Sequence, residues 1–593
     1  MTLTSRTIVG IDLGTTNTVV SVIDMERDEQ QQRPEVWPVP QFVALGELEP
    51  RSPLPSAIYL PAEVELASPA WQLPWGPADA AVGWFAREHG AKVPGRLVTS
   101  AKSWLCHRSA DPEAPILPLH PAEGGRRISP VDAQRRILEH VARAWDHAYP
   151  DRPIETEQLL LTVPASFDVI ARSLTLNAAR EAGLGELTLL EEPQAAFYAW
   201  LDAMGERWRE HVQPGDVVLV CDVGGGTTDF SLIGCSERDG NLELERLAVG
   251  EHLLLGGDNM DLALAHRLAS RLGGDLDPWQ SRALWLEAAR AKERLLTDPD
   301  LERVSVTIAG RGTQLVGAQR QAELERTDIE QIVLEGFFPR VGPEARPVER
   351  PRVGLQELGL PYAQDPAITR HLAAFLGRHT GDGQRVRWPT HVLFNGGVMQ
   401  APVLRERLLE VLRSWSGKPV ETLPGADLAD AVARGAAYYG RVRRGRGIRI
   451  RGGSARSYYV AFEAAVPAVP GLERPKHAVC VVPFGLEEGS TIEVPGLEFG
   501  LVTGAPVEFE LYGSTRRKED RPGQLLERIP DDLERLARLE AILDTDGEDG
   551  AGHVVPVGLR ARLTEIGTLE LYCVARDGSR DWKLEVDLRE HRR

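Results

Sequence analysis

The sequence is poor in cysteine, in long apolar runs and in positive charge. Its five cysteines are scattered without a CxxC pair, which excludes a disulfide framework and a cysteine-based zinc site. It has neither an apolar stretch long enough to cross a membrane nor the basic and apolar regions of a signal peptide. The net charge of −19 argues against non-specific binding to nucleic acid. We therefore expect a soluble, cytoplasmic protein with no membrane partner.

The 593 residues are enough for several domains, and the hydrophobic fraction of 42% is ordinary for globular protein. One strongly basic run, Arg441–Arg451, interrupts the acidic background. Such a run is compatible with RNA binding, but in an acidic chain it is more often a solvated linker or strand face. Nucleic acid is therefore not an expected partner.

A short apolar run in Val217–Ile233 stops at Asp222, passes through three glycines and then resumes. Glycines let backbone N–H groups approach an anion without interference from a Cβ atom, and threonines add hydroxyl donors. The carboxylates of Asp222 and Asp229 can hold a hydrated divalent cation. An ordinary β-hairpin with a glycine-rich turn would have the same pattern. The candidate phosphate contacts in this stretch are Gly224, Gly225, Gly226 and Thr227.

The N-terminal stretch Ile8–Ile23 repeats this pattern, with an apolar strand, Asp12, a small polar turn and a second strand. Two copies so far apart indicate two related halves that face each other, not a short-period array. The sequence therefore predicts one cleft between two phosphate-binding hairpins. The corresponding turn residues of the first copy are Gly14, Thr15, Thr16 and Asn17.

Two charged residues between the hairpins are further candidates. Lys102 lies in a chain whose positive charge is mostly arginine, although most lysines are simply solvated on the surface. Glu192 follows a predicted strand, Leu187–Leu190, and precedes Pro193, which predicts a carboxylate at a helix N-terminus where a strand gives way to a helix. A plain helix cap is the alternative for Glu192.

The rest of the chain divides into segments that differ in composition and in hydrophobic pattern. Amphipathic periodicity predicts helices at Ser129–Tyr149, after Asp168, and at Leu428–Tyr439, and a strand leads into Asn395-Gly396-Gly397. Residues 341–389 are rich in Pro and Gly and are interpreted as an insertion. The rest of the chain, from about residue 452, has the short apolar segments of β structure, with one predicted helix at Asp531–Leu543.

Five motifs in this order resemble the 70-kilodalton heat-shock chaperone family: IDLGTTN, TVPASF, EEPQAA, DVGGGTTD and FNGG. The resemblance covers Thr7 to about Gly440 and, more faintly, the β-rich remainder. It implies an α/β actin-like ATPase domain of duplicated ribonuclease H-like halves, followed by an all-β sandwich-like domain. The implied boundaries are 1–440 for the ATPase domain (halves 1–212 and 213–440), 441–451 for a basic linker and 452–593 for the β-rich domain.

The same resemblance implies roles for single residues. Asp12 and Asp222 would hold Mg²⁺ through its waters, Lys102 would stabilise charge on the γ-phosphate of ATP, and Glu192 would position the attacking water. Thr15, Thr16 and Thr227 would contact the transferred phosphate, and Pro164 and Arg172 match a relay toward the substrate domain. The other implied nucleotide contacts are Gly14, Asn17, Gly224, Gly225, Gly226, Gly257, Asp258, Lys292, Gly396 and Gly397.

Several positions depart from the family pattern. Arginines that contact adenine are replaced by Glu293 and Gln400, and serines by Leu296 and Val398. Each lost stacking partner costs on the order of 1 kcal/mol of binding free energy. We therefore expect adenine to bind more weakly than in the family, with less effect on the phosphate chemistry. The basic run replaces an apolar linker, and no helical lid is expected after the β segments.

These features predict an ATP-dependent chaperone that hydrolyses Mg·ATP slowly to control its grip on unfolded or extended polypeptides. A co-chaperone and a nucleotide-exchange factor are candidate partners. A small-molecule kinase, an actin-like filament ATPase and a nucleotide-gated scaffold with little turnover are the alternatives. Lys102, Glu192, Asp12, Asp222 and Thr227 form the expected catalytic set.

Overall fold

The computed structural model describes residues 5–587 apart from 108–109, 239–240, 274–275, 309–318, 349–361, 379–387, 426–427, 429, 446–453, 455, 464–474, 487–489, 497, 503–505, 543–553, 565–568 and 577–579. Within these ranges, no helix combines the length and the apolar character needed to cross a bilayer. Four of the five cysteines, Cys221, Cys235, Cys480 and Cys573, are free and buried.

The first sheet is built around the N-terminal hairpin, whose strands Thr7–Leu13 and Asn17–Asp24 pair antiparallel. Buried parallel strands continue the sheet on one side, with Ile8 opposite Gln158. The strand order is Leu187–Glu191, Gln158–Val163, Thr7–Leu13, Asn17–Asp24 and Glu35–Val36, with Leu54–Pro55 also paired to the hairpin.

The second sheet repeats this arrangement around the central hairpin, Val217–Arg238. Its strand order is Asn241–Val249, Thr228–Arg238, Val217–Val223, His391–Asn395 and Glu421–Thr422. In both sheets an antiparallel meander is followed by two parallel strands. This shared topology is the structural counterpart of the repeated sequence pattern.

Helices cover both sheets, and their starts follow from local sequence. The side chain of Ser129 accepts a hydrogen bond from Asp132 N (3.0 Å), and that of Asp168 accepts one from Ala171 N (2.8 Å), as expected for N-caps. Both predicted helix starts are confirmed. The longer helices are Pro130–Ala148, Val169–Glu181, Glu192–Met204, Gly257–Arg271, Pro278–Thr297, Ile368–Arg378, Pro402–Ser416 and Ala431–Arg443.

Smaller elements complete the two halves. Short helices lie at Glu63–Leu66, Trp84–Gly90, Arg326–Asp328, Ile329–Leu334 and Glu335–Phe337. Small sheets pair Ile58–Tyr59 with Ala81–Val82 and Leu97–Val98, Val39–Ala44 with Glu47–Arg51, Gln72–Leu73 with Gly76–Pro77, and Arg303–Ile308 with Arg320–Glu325.

The helix Ala431–Arg443 joins the two halves. It packs against the helix Glu192–Met204 and against the strand Thr7–Leu13, and one buried cluster includes side chains from the central strands of both sheets. The contact is so close that a Cβ on Gly435 would collide with the carbonyl oxygen of Ala195, and one on Gly10 would lie 2.5 Å from Ala437 N. Glycine is required at both positions because backbone meets backbone there.

The β-rich part of the chain forms one ten-stranded sheet. Its order is Thr491–Glu493, Val554–Leu563, Leu569–Ala575, Asp581–Asp587, Glu534–Ile542, Pro506–Ser514, Ser457–Glu463, Lys476–Val482 and Leu525–Leu526, with Phe499–Val502 paired to the second of these.

The helix predicted at Asp531–Leu543 is wrong, because the described residues Glu534–Ile542 form a strand inside the β-rich sheet. The segment is rich in Glu, Arg, Leu and Ala, which favour helix in isolation. The strand pairs on both sides, with Leu539 opposite Phe509 on one neighbour and opposite Val586 on the other. Pairing on both sides outweighs the local preference.

The basic run begins inside a helix, because Ala431–Arg443 extends through its first three residues. Arg443 donates to Thr188 Oγ1, and Arg444 donates to Gln158 Oε1 (2.6 Å) and to Ser5 O (3.1 Å). These arginines therefore bind the edge of the first sheet. Most of the predicted linker, residues 446–451, and parts of the predicted insertion lie outside the described residues.

Replacing Gly435 by Ala should destabilise the protein although Gly-to-Ala changes normally stabilise helices by about 1 kcal/mol. The added methyl group would force the two helices apart. The matched control is Gly336→Ala, whose Cβ would meet nothing closer than 3.9 Å. Thermal unfolding should show a lower Tm for Gly435→Ala and an unchanged or slightly higher Tm for the control, and equal effects would contradict the close packing.

Candidate functional site

The tips of the two hairpins face each other across a cleft. A Cβ on Gly226 would lie 3.0 Å from Thr15 Cγ2, and one on Gly225 would collide with Thr16 Oγ1. The glycine turn is also tied to the start of the helix Gly257–Arg271, because Asp258 N donates to Gly225 O (2.7 Å). The structure therefore brings both predicted hairpins into one site.

Lys102 and Glu192 form an ion pair in this cleft, with Lys102 Nζ 2.5 Å from Glu192 Oε1. Lys102 belongs to a short 3₁₀ helix, Ala101–Cys106, and is only 6% exposed, so it is not a solvated surface lysine. Burial alone would lower the pKa of Lys102, but Glu192 and Asp12 raise it above its ordinary value. The lysine is held as a cation beside two carboxylates.

Glu192 is the first residue of the helix Glu192–Met204 and follows the strand Leu187–Glu191 directly. Its carboxylate lies at the end of a parallel strand, which is the common place for sites in open α/β sheets. The carboxylate is bound by Lys102, so it does more than cap a helix.

Asp12 and Asp222 occupy equivalent positions on the two hairpins. Burial, followed by repulsion from Glu192, raises the pKa of Asp12 to about 7 and that of Asp222 to about 8. Each carboxylate also has a neutral donor: Thr162 Oγ1 lies 2.9 Å from Asp12 Oδ1, and Asn395 Nδ2 lies 2.6 Å from Asp222 Oδ2. Buried carboxylates with raised pKa values favour a nearby positive charge.

The residues fit a hydrated divalent cation. Mg²⁺ usually keeps several waters and takes one or two carboxylates together with substrate phosphates. The described residues hold no group of three or more His, Cys, Asp or Glu side chains arranged around a metal. Two aspartates, one on each hairpin, suit a cation held through water better than one enclosed by protein ligands.

The residues also fit a phosphate. No hydrogen bond within the described part of the chain uses the hydroxyls of Thr15, Thr16 or Thr227, and Asn17 Oδ1 is buried without a partner. These polar groups lie at the two hairpin turns, where backbone N–H groups and glycines also gather. Free hydroxyl donors around a glycine turn are what an anionic ligand needs.

A second lysine lies beside the glycine turn. Lys292, on the helix Pro278–Thr297, donates to Gly257 O (3.3 Å) and pairs with Asp261 Oδ1 (2.7 Å). Burial raises the pKa of Asp258, although Lys292 opposes that rise. The predicted nucleotide contacts Gly257, Asp258 and Lys292 are therefore neighbours.

The glycine pair after the strand His391–Asn395 closes the other side of the turn. Gly396 has φ +87°, and a Cβ there would lie 2.6 Å from Asp222 Oδ1, so only glycine fits. A Cβ on Gly397 would meet nothing within 4 Å. Of the positions that depart from the family pattern, Glu293 and Gln400 are exposed, while Leu296 and Val398 are partly buried.

The predicted relay residues lie next to the ion pair. Pro164 ends the strand Gln158–Val163, and its carbonyl accepts a hydrogen bond from Phe167 N (3.1 Å). Arg172 Nη2 donates to Glu191 Oε1 (2.7 Å), one residue before Glu192. Arg172 therefore contacts the segment that carries Glu192.

Asp229 is a candidate cation ligand from the sequence, but its contacts with Ser166 and His252 were not predicted. Asp229 accepts hydrogen bonds from Ser166 Oγ (3.2 Å) and contacts His252 Nδ1 (3.2 Å). Burial would lower the pKa of His252, but Asp229 raises it above the ordinary value. Asp229 and Ser166 lie in the motifs DVGGGTTD and TVPASF, so those motifs already contained the signal for two of these residues.

The chain is similar to a known protein family and to several curated proteins. A family model described as "Hsp70 protein" matches residues 85–343, a range that contains Lys102, Glu192 and Asp222. The chain is similar to the chaperone protein HscA of Serratia proteamaculans, with 31% identity over 332 residues, which is 54% of this chain and 46% of the relative.

Two other relatives give the same result. The chain is 34% identical over 299 residues to the HscA homolog of Azotobacter vinelandii (49% of this chain, 42% of the relative) and 34% identical over 316 residues to that of Pseudomonas putida (51% and 43%). The chain thus spans somewhat less than half the length of these curated relatives.

Without metal and nucleotide, stability should fall as the pH rises from about 4 to about 8. The folded state keeps protons on Asp12 and Asp222 that the unfolded state, with aspartate pKa about 3.9, has released. Asp222→Asn should reduce this loss of unfolding free energy over the pH range by an amount on the order of a few kcal/mol, and so flatten the slope. Urea unfolding between pH 5 and 8.5 checks this. Asp300→Asn, an exposed control, should keep the parental slope, and a parental slope in Asp222→Asn would contradict the assignment.

Proposed function

We propose that this chain is a member of the Hsp70 family and a Mg²⁺-dependent ATPase whose nucleotide state controls the binding of polypeptides. The single observation that carries the proposal is the buried Lys102–Glu192 ion pair between the aspartates of two facing hairpins. A cleft of this kind offers positive charge, free hydroxyls and carboxylates in one place, and phosphoryl transfer needs these groups in position.

Each residue of the cleft has a separate role in this proposal. Thr15, Thr16 and Thr227 donate hydrogen bonds to phosphate oxygens, and Lys102 neutralises charge that develops on the transferred group. Glu192 orients the attacking water. Asp12 and Asp222 would hold Mg²⁺ through its waters, and the ion would supply further charge neutralisation. Each of these roles follows from groups fixed before the substrate arrives, so little reorganisation is needed.

The repeated sheet topology supports an actin-like ATPase domain of two halves, 1–212 and 213–440, with an insertion at about 341–389. The ten-stranded sheet supports a sandwich-like domain over about 452–593, joined through a basic linker. Because the proposed reaction consumes ATP, a cytoplasmic location belongs to the same proposal.

The proposed substrate of the β-rich part is an extended or unfolded polypeptide. Support comes from its contacts with the proposed ATPase domain: strand Glu534–Ile542 packs near the helix Val169–Glu181, and Lys518 Nζ donates to Leu247 O (2.9 Å). The β-rich sheet is therefore in contact with both halves of the proposed ATPase domain. A co-chaperone and a nucleotide-exchange factor are the proposed further partners.

A second candidate function is a nucleotide-gated scaffold with little turnover. The observation in its favour is that Glu293 and Gln400 are exposed side chains without the flat cationic surface that stacks on adenine. If adenine binds weakly, the state of the scaffold would be set by whether nucleotide is bound and not by its hydrolysis.

Lys102→Ala and Glu192→Ala should each slow ATP hydrolysis by about 100-fold while ATP binding survives, because both residues act on the reacting phosphoryl group. Single-turnover hydrolysis and equilibrium nucleotide binding measure the two effects separately. Lys418→Ala, at an exposed lysine, is the matched control and should hydrolyse ATP at the parental rate. Parental rates in both cleft variants would show that the catalytic assignment is wrong.

The full-length chain should bind a labelled extended apolar peptide, and ATP should change its dissociation rate by about tenfold relative to ADP, equivalent to about 1.4 kcal/mol. Fluorescence anisotropy with a peptide array measures binding and exchange. Glu192→Ala should retain the ATP effect on exchange because it binds ATP without hydrolysing it. Failure to bind any peptide of the array would favour the scaffold.

A further inference from the structure

A buried ion cluster lies directly beside the proposed catalytic carboxylate. Both oxygens of Glu191 are occupied: Oε1 accepts from Arg172 Nη2 at 2.7 Å, and Oε2 accepts from Arg246 Nη1. The three side chains are 7%, 11% and 5% exposed, in the order Glu191, Arg172 and Arg246. Burial alone would raise the pKa of Glu191, but the two guanidinium groups hold it below its ordinary value. The cluster is ionised and shielded from water.

The two arginines come from different halves of the proposed ATPase. Arg172 lies on the helix Val169–Glu181 and Glu191 ends a strand of the first sheet, whereas Arg246 lies on the strand Asn241–Val249 of the second sheet. Glu191 therefore connects the halves by a charged contact. We call Arg172, Glu191 and Arg246 the interlobe bridge.

The interlobe bridge is one peptide bond away from the catalytic ion pair. Glu191 is the last residue of its strand and the N-cap of the helix that Glu192 begins, so a shift of Glu191 moves Glu192 as well. Lys102 holds Glu192 from the other side. Because a misplacement of about 1 Å can slow an enzymatic step by about 100-fold, the bridge is placed where it can set the position of Glu192.

The β-rich sheet covers the interlobe bridge. Tyr458, on the strand Ser457–Glu463, is partly buried and interacts electrostatically with Arg172 and Glu191. Next to Arg246 along the chain, the carbonyl of Leu247 accepts a hydrogen bond from Lys518 Nζ (2.9 Å). Contacts from the β-rich sheet therefore lie beside both arginines.

We propose that Glu191 and Arg246 are positioning residues for ATP hydrolysis, and that their contact between the two halves holds Glu192 in register with Lys102. This inference rests on the proposed ATPase function. Arg246 touches no reacting group in this assignment, so its effect passes through Glu191. The bridge would make the hydrolytic step depend on the contact between the two halves.

The test compares Arg246→Met and Glu191→Gln in the full-length chain. Each should lower the single-turnover rate constant by about tenfold or more, while the Kd for ATP changes less than twofold. Arg246→Lys should recover much of the lost rate because it restores a positive charge. Arg303→Met removes an exposed arginine from the same half and is the matched control, expected to keep the parental rate.

Hydrogen exchange supplies a readout that does not depend on turnover. Without nucleotide, Arg246→Met should increase exchange in both 187–193 and 241–249, because the bridge links these segments. The double variant Glu191→Gln/Arg246→Met should lose no more rate than either single variant, since both changes break one contact. Additive losses would show separate effects and overturn the inference.

Three other outcomes would also overturn it. The first is a parental single-turnover rate constant in Arg246→Met. The second is an equal loss of rate and of ATP affinity in that variant, which indicates a merely structural role. The third is hydrogen exchange in residues 187–193 that is the same in Arg246→Met as in the parental chain. If Arg246→Met does not fold, the near-isosteric Glu191→Gln decides by the same criteria. The absence of hydrolysis in the parental chain would instead refute the proposed function, and hydrogen exchange would still test the bridge.

Discussion

The Lys102–Glu192 ion pair is the contact on which the arrangement of the cleft depends. It places one cation beside Glu192 and Asp12, with Asp222 nearby. Burial raises the pKa of Asp12 to about 7 and that of Asp222 to about 8, because a buried negative charge without a partner is unfavourable. Such a site is completed by positive charge and by a polyanion that accepts hydrogen bonds. Glycine also approaches threonine closely at the hairpin tips, where the side chain of a larger residue would collide with the opposite hairpin.

The pair is held from two sides by the joints between the halves of the fold. One joint is apolar, where Gly435 and Gly10 let the helix Ala431–Arg443 meet a helix and a strand at backbone distance. The other is ionic, where Glu191 binds Arg172 and Arg246. The helix that begins at Glu192 therefore takes part in both joints, through its packing against Ala431–Arg443 and through its N-cap residue Glu191.

Local patterns predicted the local features of this structure. The two hairpins, the caps at Ser129 and Asp168 and the helix that begins at Glu192 depend on residues close in sequence, so they could be read directly. The burial of Lys102 and the contact between Glu191 and Arg246 join distant segments, and no spacing rule indicates them. The strand Glu534–Ile542 shows the same limit, since pairing with two neighbouring strands outweighs a helix-favouring composition.

The most direct measurement of the central claim is the rate of ATP turnover by the full-length chain with Mg²⁺, with and without an unfolded polypeptide. We predict slow hydrolysis that requires Mg²⁺ and changes in rate when the polypeptide is added, because the β-rich sheet contacts segments next to Glu192. Hydrolysis that is absent, or that proceeds at the same rate with and without polypeptide, would contradict a cleft coupled to polypeptide binding.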